Sequence, residues 1–249
     1  MTSKPTSFPV REAPRPKPKR VYKAVSVDEK DGRFRVLLDG RPVLTPLRKA
    51  VDMPNRALAD AVAAEWDAQD PVIEPEKMPL TRLVSTALDG VGPGRDGYID
   101  ELMKYVDADL LCYRAAHPAV LKERQRKIWQ PVLDWLEATH GVAFTVAEGL
   151  MPVRQPAKTV TALRSALAAL DDAHLTALQA CAAITNSLAL SLALTQGRVT
   201  AAEAFAAAML DESYQMEQWG EDQEALDRRS LIEADLLAVG SYLSLLKQT

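Results

Sequence analysis

The spacing of apolar and polar positions changes character along the chain. Over residues 21–47 it has period two: Tyr22, Ala24 and Ser26 alternate with Lys23, Val25 and Val27, and Phe34, Val36 and Leu38 fall on one face. Such alternation predicts strands, because successive side chains of a strand point to opposite faces. Asp31-Gly32 and Asp39-Gly40 interrupt it. Glycine accepts positive φ without steric penalty, so each pair predicts a tight turn. Arg41–Thr45 then returns as a further strand, and the expected unit is a small β meander.

Beyond residue 50 the period becomes helical. Pro54 stands where a helix would begin, a position at which its missing N–H matters little, and Leu58, Val62 and Trp66 recur on one face. That helix ends before Pro71, and Met78–Leu88 predicts a second, with Leu80, Leu83, Val84 and Ala87 in one stripe. Gly90, Gly92, Pro93, Gly94 and Gly97 predict a loop. Gly92–Gly97 has the form G-x-G-x-x-G, but a dinucleotide site needs a strand before it and an acidic strand end later. A helical pattern precedes it and His117-Pro118 follows, so the segment reads as an interdomain linker. From Arg95 onward the period predicts helices over Tyr98–Leu111, Pro118–Thr139 (closed by Gly141), Thr159–Leu170 and His174–Gln196, with a short extended piece at Val142–Val146. Thr200-Ala201-Ala202-Glu203 is a capping box whose helix runs to about Trp219. Gly220 interrupts it, and Glu221–Leu246 forms the last helix.

The expected fold is therefore α+β: a small mixed α/β N-terminal domain over residues 21–94, followed by a mainly helical C-terminal bundle over 95–249. Composition agrees, with 47% hydrophobic residues but only 6% aromatic, so Ala and Leu dominate the apolar surface and favour helices. Residues 1–20 read as a disordered basic tail, since Pro5, Pro9, Pro14, Pro16 and Pro18 exclude helix and central strand. These prolines also spoil the amphipathic helix of a mitochondrial transit peptide. The most apolar window, Ala177–Leu194, holds Gln179, Thr185, Asn186, Ser187 and Ser191 and reads as a buried helix rather than a membrane span. Of the net charge of −4, residues 1–23 carry +6 and the remainder −10, which argues against nucleic acid as the main partner.

Chemistry is sparse. Cys112 and Cys181 lie far apart and outside any Cys-x-x-Cys pair, so they read as buried thiols. His117, His140 and His174 each lack a second ligand at metal spacing and read as capping or surface residues. There is no Gly-x-Ser-x-Gly elbow and no Walker lysine. Asp107 and Asp109, two apart, do not share a helix face, and Asp171-Asp172 suits a helix start. No catalytic residue, metal or cofactor is expected. What stands out is polar: Glu212, Gln215 and Trp219 share one side of a helix, Gly220 allows a bend, and Asp227 follows in the next helix. Residues 203–235 hold ten acids and two bases. A carboxylate beside an aromatic is a common interface anchor; a solvated acidic helix pair with Trp219 in the core is the alternative.

Several ordered segments resemble one family, the assembly chaperones of the ATP synthase F1 α subunit found in mitochondria and some bacteria. They are Leu38–Val43 with Thr45-Pro46, Ala64–Gln69, Met78–Leu83, Tyr105–Asp107, Cys112–Ala115, the set Gln125, Trp129, Pro131, Leu133 and Trp135, and lastly Glu212, Gln215, Trp219 and Gly220. The resemblance spans about residues 21–246. It implies a non-catalytic protein that holds free α subunit until β subunit replaces it. It also implies a partner site at Glu212, with Gln215, Trp219, Gly220 and Asp227 around it. A bacterial cytoplasmic protein is expected, or a mitochondrial matrix one in a eukaryote, monomeric and without membrane insertion. Two other readings stay open: a small-molecule or enzyme site between the domains near Arg82, Tyr113 or Arg114, and a scaffold that holds an acidic partner through the basic tail.

Overall fold

The computed structural model describes residues 17–149, 151–220 and 222–248. Strands β1 (Val25–Lys30) and β2 (Arg33–Leu38) pair antiparallel, with Val25 opposite Leu38 and Lys30 opposite Arg33. Asp31 and Gly32 both take positive φ (55° and 70°), as do Asp39 and Gly40 (48° and 78°). That backbone follows the right-handed twist of the strands it joins. The return strand is shorter than expected. β3 covers only Arg41–Pro42, and β4 (Asp52–Met53) pairs with β2 instead, placing Met53 opposite Phe34. Pro42 and Pro46 supply no N–H to continue a ladder.

Val36 and Met53 face helix α1 (Arg56–Asp67), which buries Leu58, Ala59 and Val62. Asn55, not Pro54, starts this helix: its side-chain oxygen accepts from the Leu58 amide at 2.9 Å, satisfying a donor that the helix leaves open. Its amide nitrogen donates to the Leu245 carbonyl at 2.9 Å, tying in the far end of the chain. Glu65 of α1 accepts from the Leu80 and Thr81 amides at 2.7 and 2.8 Å, capping α2 (Pro79–Thr86) across space.

The expected glycine linker is helical. A π-helical turn (Ala87–Val91) runs directly into α3 (Gly92–Met103), kinked at Gly94, where φ is −120°. Gly90 serves close packing: a Cβ there would collide with the Tyr98 hydroxyl. α3 stops well short of Leu111, and two short 3-10 turns lead to β5 (Tyr113–Arg114). β5 pairs in parallel with β6 (Ala147–Glu148), just beyond the expected extended piece. Between them α4 (Ala119–His140) is closed by Gly141 at φ 66°.

After α5 (Ala157–Ala168), the single helix expected over His174–Gln196 is two. α6 (Asp172–Thr185) ends at left-handed Asn186, and Ser187 caps α7 (Leu188–Thr195). The break is held by buried Asp109, which accepts from the Ser187 hydroxyl at 2.8 Å and the Ala189 amide at 3.0 Å. The capping box forms as expected, but its helix breaks at Met209 into α8 (Ala201–Ala208) and α9 (Leu210–Trp219). α10 (Gln223–Leu246) is capped by Asp222.

The architecture is α+β, with the small sheet in the N-terminal part and helices through the rest. One core gathers Trp129, Leu133, Leu163, Leu178 and Leu192. The other joins Val36, Met53 and Leu58 to Cys181, Phe205, Leu236 and Tyr242, so it draws on both sides of residue 94. Residues 1–16 of the expected tail lie outside the described residues. Residues 17–20 are not loose: the Arg20 amide donates to the Pro71 carbonyl at 2.9 Å and the Ile73 amide to the Pro18 carbonyl at 2.8 Å. The extended backbone that proline favours also suits such pairing. Among the described residues, no helix is long and apolar enough to cross a membrane.

Candidate functional site

The C-terminal polar face is built from α4 outward. Buried Gln125 accepts from the Ala115 amide at 2.8 Å and donates to the Asp211 carboxylate at 2.7 Å. Trp129, wholly buried, donates from its indole N–H to the Ala207 carbonyl at 2.8 Å. These two side chains grip the joint between α8 and α9. Next to Gln125 on the same helix, Arg124 pairs with Glu217 at 2.8 Å and lies 5.4 Å from the Tyr214 ring centre. The hydrogen bond to Arg124 holds the Glu217 carboxyl below its usual range. α9 is thereby fixed along one side.

The expected site residues lie on the other side and across the turn. Glu212 pairs with Arg228 at 3.0 Å, joining α9 to α10, while its second oxygen is enclosed without a partner among the described residues. Gln215 is exposed. Trp219, at the end of α9, is 81% exposed, so it is not a core anchor. Gly220 follows with φ 91°, a conformation that favours glycine, and turns the chain into α10. Exposed Asp227 accepts from the Gln223 amide at 2.8 Å. The five residues thus share one helical hairpin, but only Glu212 bonds across it.

The sequence reading missed how the hairpin is held. Arg228 and Arg229 are the two bases in an otherwise acidic stretch, and that was the available signal. Arg229 sits 4.9 Å over the Phe205 ring, with one guanidinium nitrogen buried and without a partner among the described residues. A cleft of about 290 Å³ between α9 and α10 is lined by Ser213, Met216, Leu226 and Arg229.

The residues named for an interdomain enzyme site do other work. Arg114 donates to the Leu111 and Gln125 carbonyls at 3.0 and 2.8 Å and stacks 5.2 Å from the Trp129 ring. The Tyr113 hydroxyl donates to the Asp107 carbonyl, and Arg82 pairs with Asp235. Both cysteines are free and buried, and burial pushes the Cys181 thiol up to about 11. His140 bonds Gln196 and His174 bonds Asp171, each at 2.8 Å. Among the described residues, no three His, Cys, Asp or Glu side chains are grouped to hold a metal.

Known proteins share this fold. The family model described as ATP12 chaperone protein matches residues 19–137. The mitochondrial protein atp12 of Schizosaccharomyces pombe is 26% identical over 232 residues, covering 88% of this chain and 80% of the relative. The crystal structure of Atp12 from Paracoccus denitrificans superposes with a TM-score of 0.85 at 35% identity, over 92% of this chain and 99% of that one. The Atu1473 protein of Agrobacterium tumefaciens gives a TM-score of 0.86 at 43% identity, over 92% of this chain and 87% of that one. The fold and its matches define a chaperone of ATP synthase assembly, not an enzyme. The chain belongs to the ATP12 chaperone family.

Proposed function

We propose that this chaperone captures the free α subunit of the F1 head through the α9–α10 hairpin and covers the surface that the β subunit later takes. The exposed indole of Trp219 is the observation that carries this reading. An aromatic side chain left in water forgoes about 2–3 kcal/mol of burial that a partner can recover. Aromatic anchors dominate binding energy at protein interfaces. Asp222, Glu224, Asp227 and Glu233 are exposed nearby in sequence and give the surface a negative rim. The grip of Gln125 and Trp129 on α9 keeps that surface in one shape before binding, which limits the ordering cost of association.

An orphan α subunit exposes an interface meant for β, and such surfaces associate off-pathway. Release is downhill because β binds the same surface more tightly. In this reading residues 21–94 brace the 95–249 bundle through α10, and the protein acts as a monomer. It works in the bacterial cytoplasm, or in the mitochondrial matrix of a eukaryotic host.

Capture of α subunit by tagged protein tests the site. Trp219→Ala should weaken capture by roughly tenfold or more, and Glu212→Lys should weaken it as well. Trp219→Ala should keep wild-type circular dichroism and melting temperature, since its indole is exposed; Glu212→Lys should keep the spectrum but melt lower, since Glu212 is half-buried and the new ammonium would face Arg228. Undiminished capture by both variants would remove the hairpin from the interface.

A further inference from the structure

A second recess lies elsewhere. It opens where β4, α1, α2, the start of α6 and the last turns of α10 converge, and has a volume of about 410 Å³. Tyr242 on its wall stands roughly 28 Å along α10 from Gln223, at 1.5 Å per residue. The recess is therefore separate from the hairpin. Its volume falls within the range of about 300–1,000 Å³ found for small-molecule sites. Met53, Leu58, Val84, Leu88 and Leu246 supply an apolar wall.

Three carboxylates also line it, and each is already engaged. Arg35 binds Asp52 at 2.9 Å, Arg95 binds Asp172 at 2.6 Å, and the His174 ring and amide both bind Asp171 at 2.8 Å. The polar groups left over are donors. Tyr242 is only 1% exposed, yet its hydroxyl has no hydrogen-bond partner among the described residues. Among the described residues, Arg33 at the rim bonds only the Asp52 carbonyl, at 3.1 Å. A hydroxyl on the wall of a recess with no protein partner is free to bond a ligand or water there.

We infer that this recess binds a carboxylate carried on an apolar stem, with Tyr242 and Arg33 donating to the carboxylate and the apolar wall holding the stem. A medium-chain carboxylic acid and the C-terminal residue of a polypeptide share that chemistry.

Calorimetric titration of the full chain tests it. The probes are octanoate, octan-1-ol, and a pentapeptide ending in leucine with either a free or an amidated C-terminus. Octanoate should saturate at one molecule per chain, and octanol should bind at least about tenfold more weakly. Tyr242→Phe and Arg33→Gln should each weaken octanoate about tenfold, as the loss of one hydrogen bond to a charged group implies. Tighter binding of the free-carboxyl peptide than of octanoate identifies a polypeptide terminus as the natural occupant; the reverse order identifies a free acid. Arg33 is exposed, so its variant stays informative if Tyr242→Phe fails to fold. Absence of saturable binding by octanoate and peptide, or equal affinity in both variants and wild type, overturns the inference.

Discussion

Asp109 is wholly buried, and its carboxylate accepts from the Leu111 amide at 3.0 Å as well as from Ser187 and Ala189. Burial raises its pKa despite these three bonds, which act to lower it. The folded value therefore lies above the unfolded one. Stability from this group is fully present below the ordinary carboxylate range and declines as pH rises through the folded pKa. Asp109→Asn should flatten that decline, and Asp109→Ala, which strands three donors, should cost roughly 2–4 kcal/mol. Denaturant unfolding from pH 4 to pH 8 reads both effects; an identical pH profile in wild type and Asp109→Asn contradicts the first. Nothing local announces its role at the α6–α7 break, because the partners it has there, Ser187 and Ala189, lie 78 and 80 positions away. Trp219 is the converse case. Its place on the polar face was legible from spacing, but its exposure was not, since one tryptophan at helical spacing fits a core and an interface equally well.

Helices and turns show the same division between local and distant causes. The two hairpin turns were legible because Asp-Gly carries its own backbone preference. The break between α6 and α7 was not, because α7 is buried on every side and a helix apolar all round has no period to interrupt. The glycine segment misled for a related reason: its glycines were read as a loop linking two domains, where the chain is helical and Gly90 makes room for Tyr98. Two substitutions separate these meanings. Gly97 lies inside α3, and a methyl added there would meet nothing within 4 Å, so Gly97→Ala should stabilise by about 0.5–1 kcal/mol. Gly240 lies where α10 crosses the start of α8, and a methyl there would stand 2.7 Å from the Ala201 Cβ. Gly240→Ala should instead destabilise by about 1–3 kcal/mol, because a Cβ cannot rotate aside. Melting temperatures moving in the same direction would contradict this account of the helix contacts.

At the scale of the molecule, α10 connects the hairpin to the recess. Its first turns follow Trp219 in the hairpin, while its last turns close the core under the sheet and wall the carboxylate recess. The change from period two to a helical period made the α+β class legible, and the ordered motifs made the family legible. The return of α10 to the N-terminal core was not, because a pairing such as Asn55 with Leu245 spans 190 positions. Light scattering from purified α subunit, diluted from denaturant with and without this protein, tests the central claim most directly. At equimolar chaperone, aggregation should be suppressed, and Trp219→Ala should largely lose that effect while remaining folded. Scattering that rises as fast with the wild-type chaperone as without it would contradict the account.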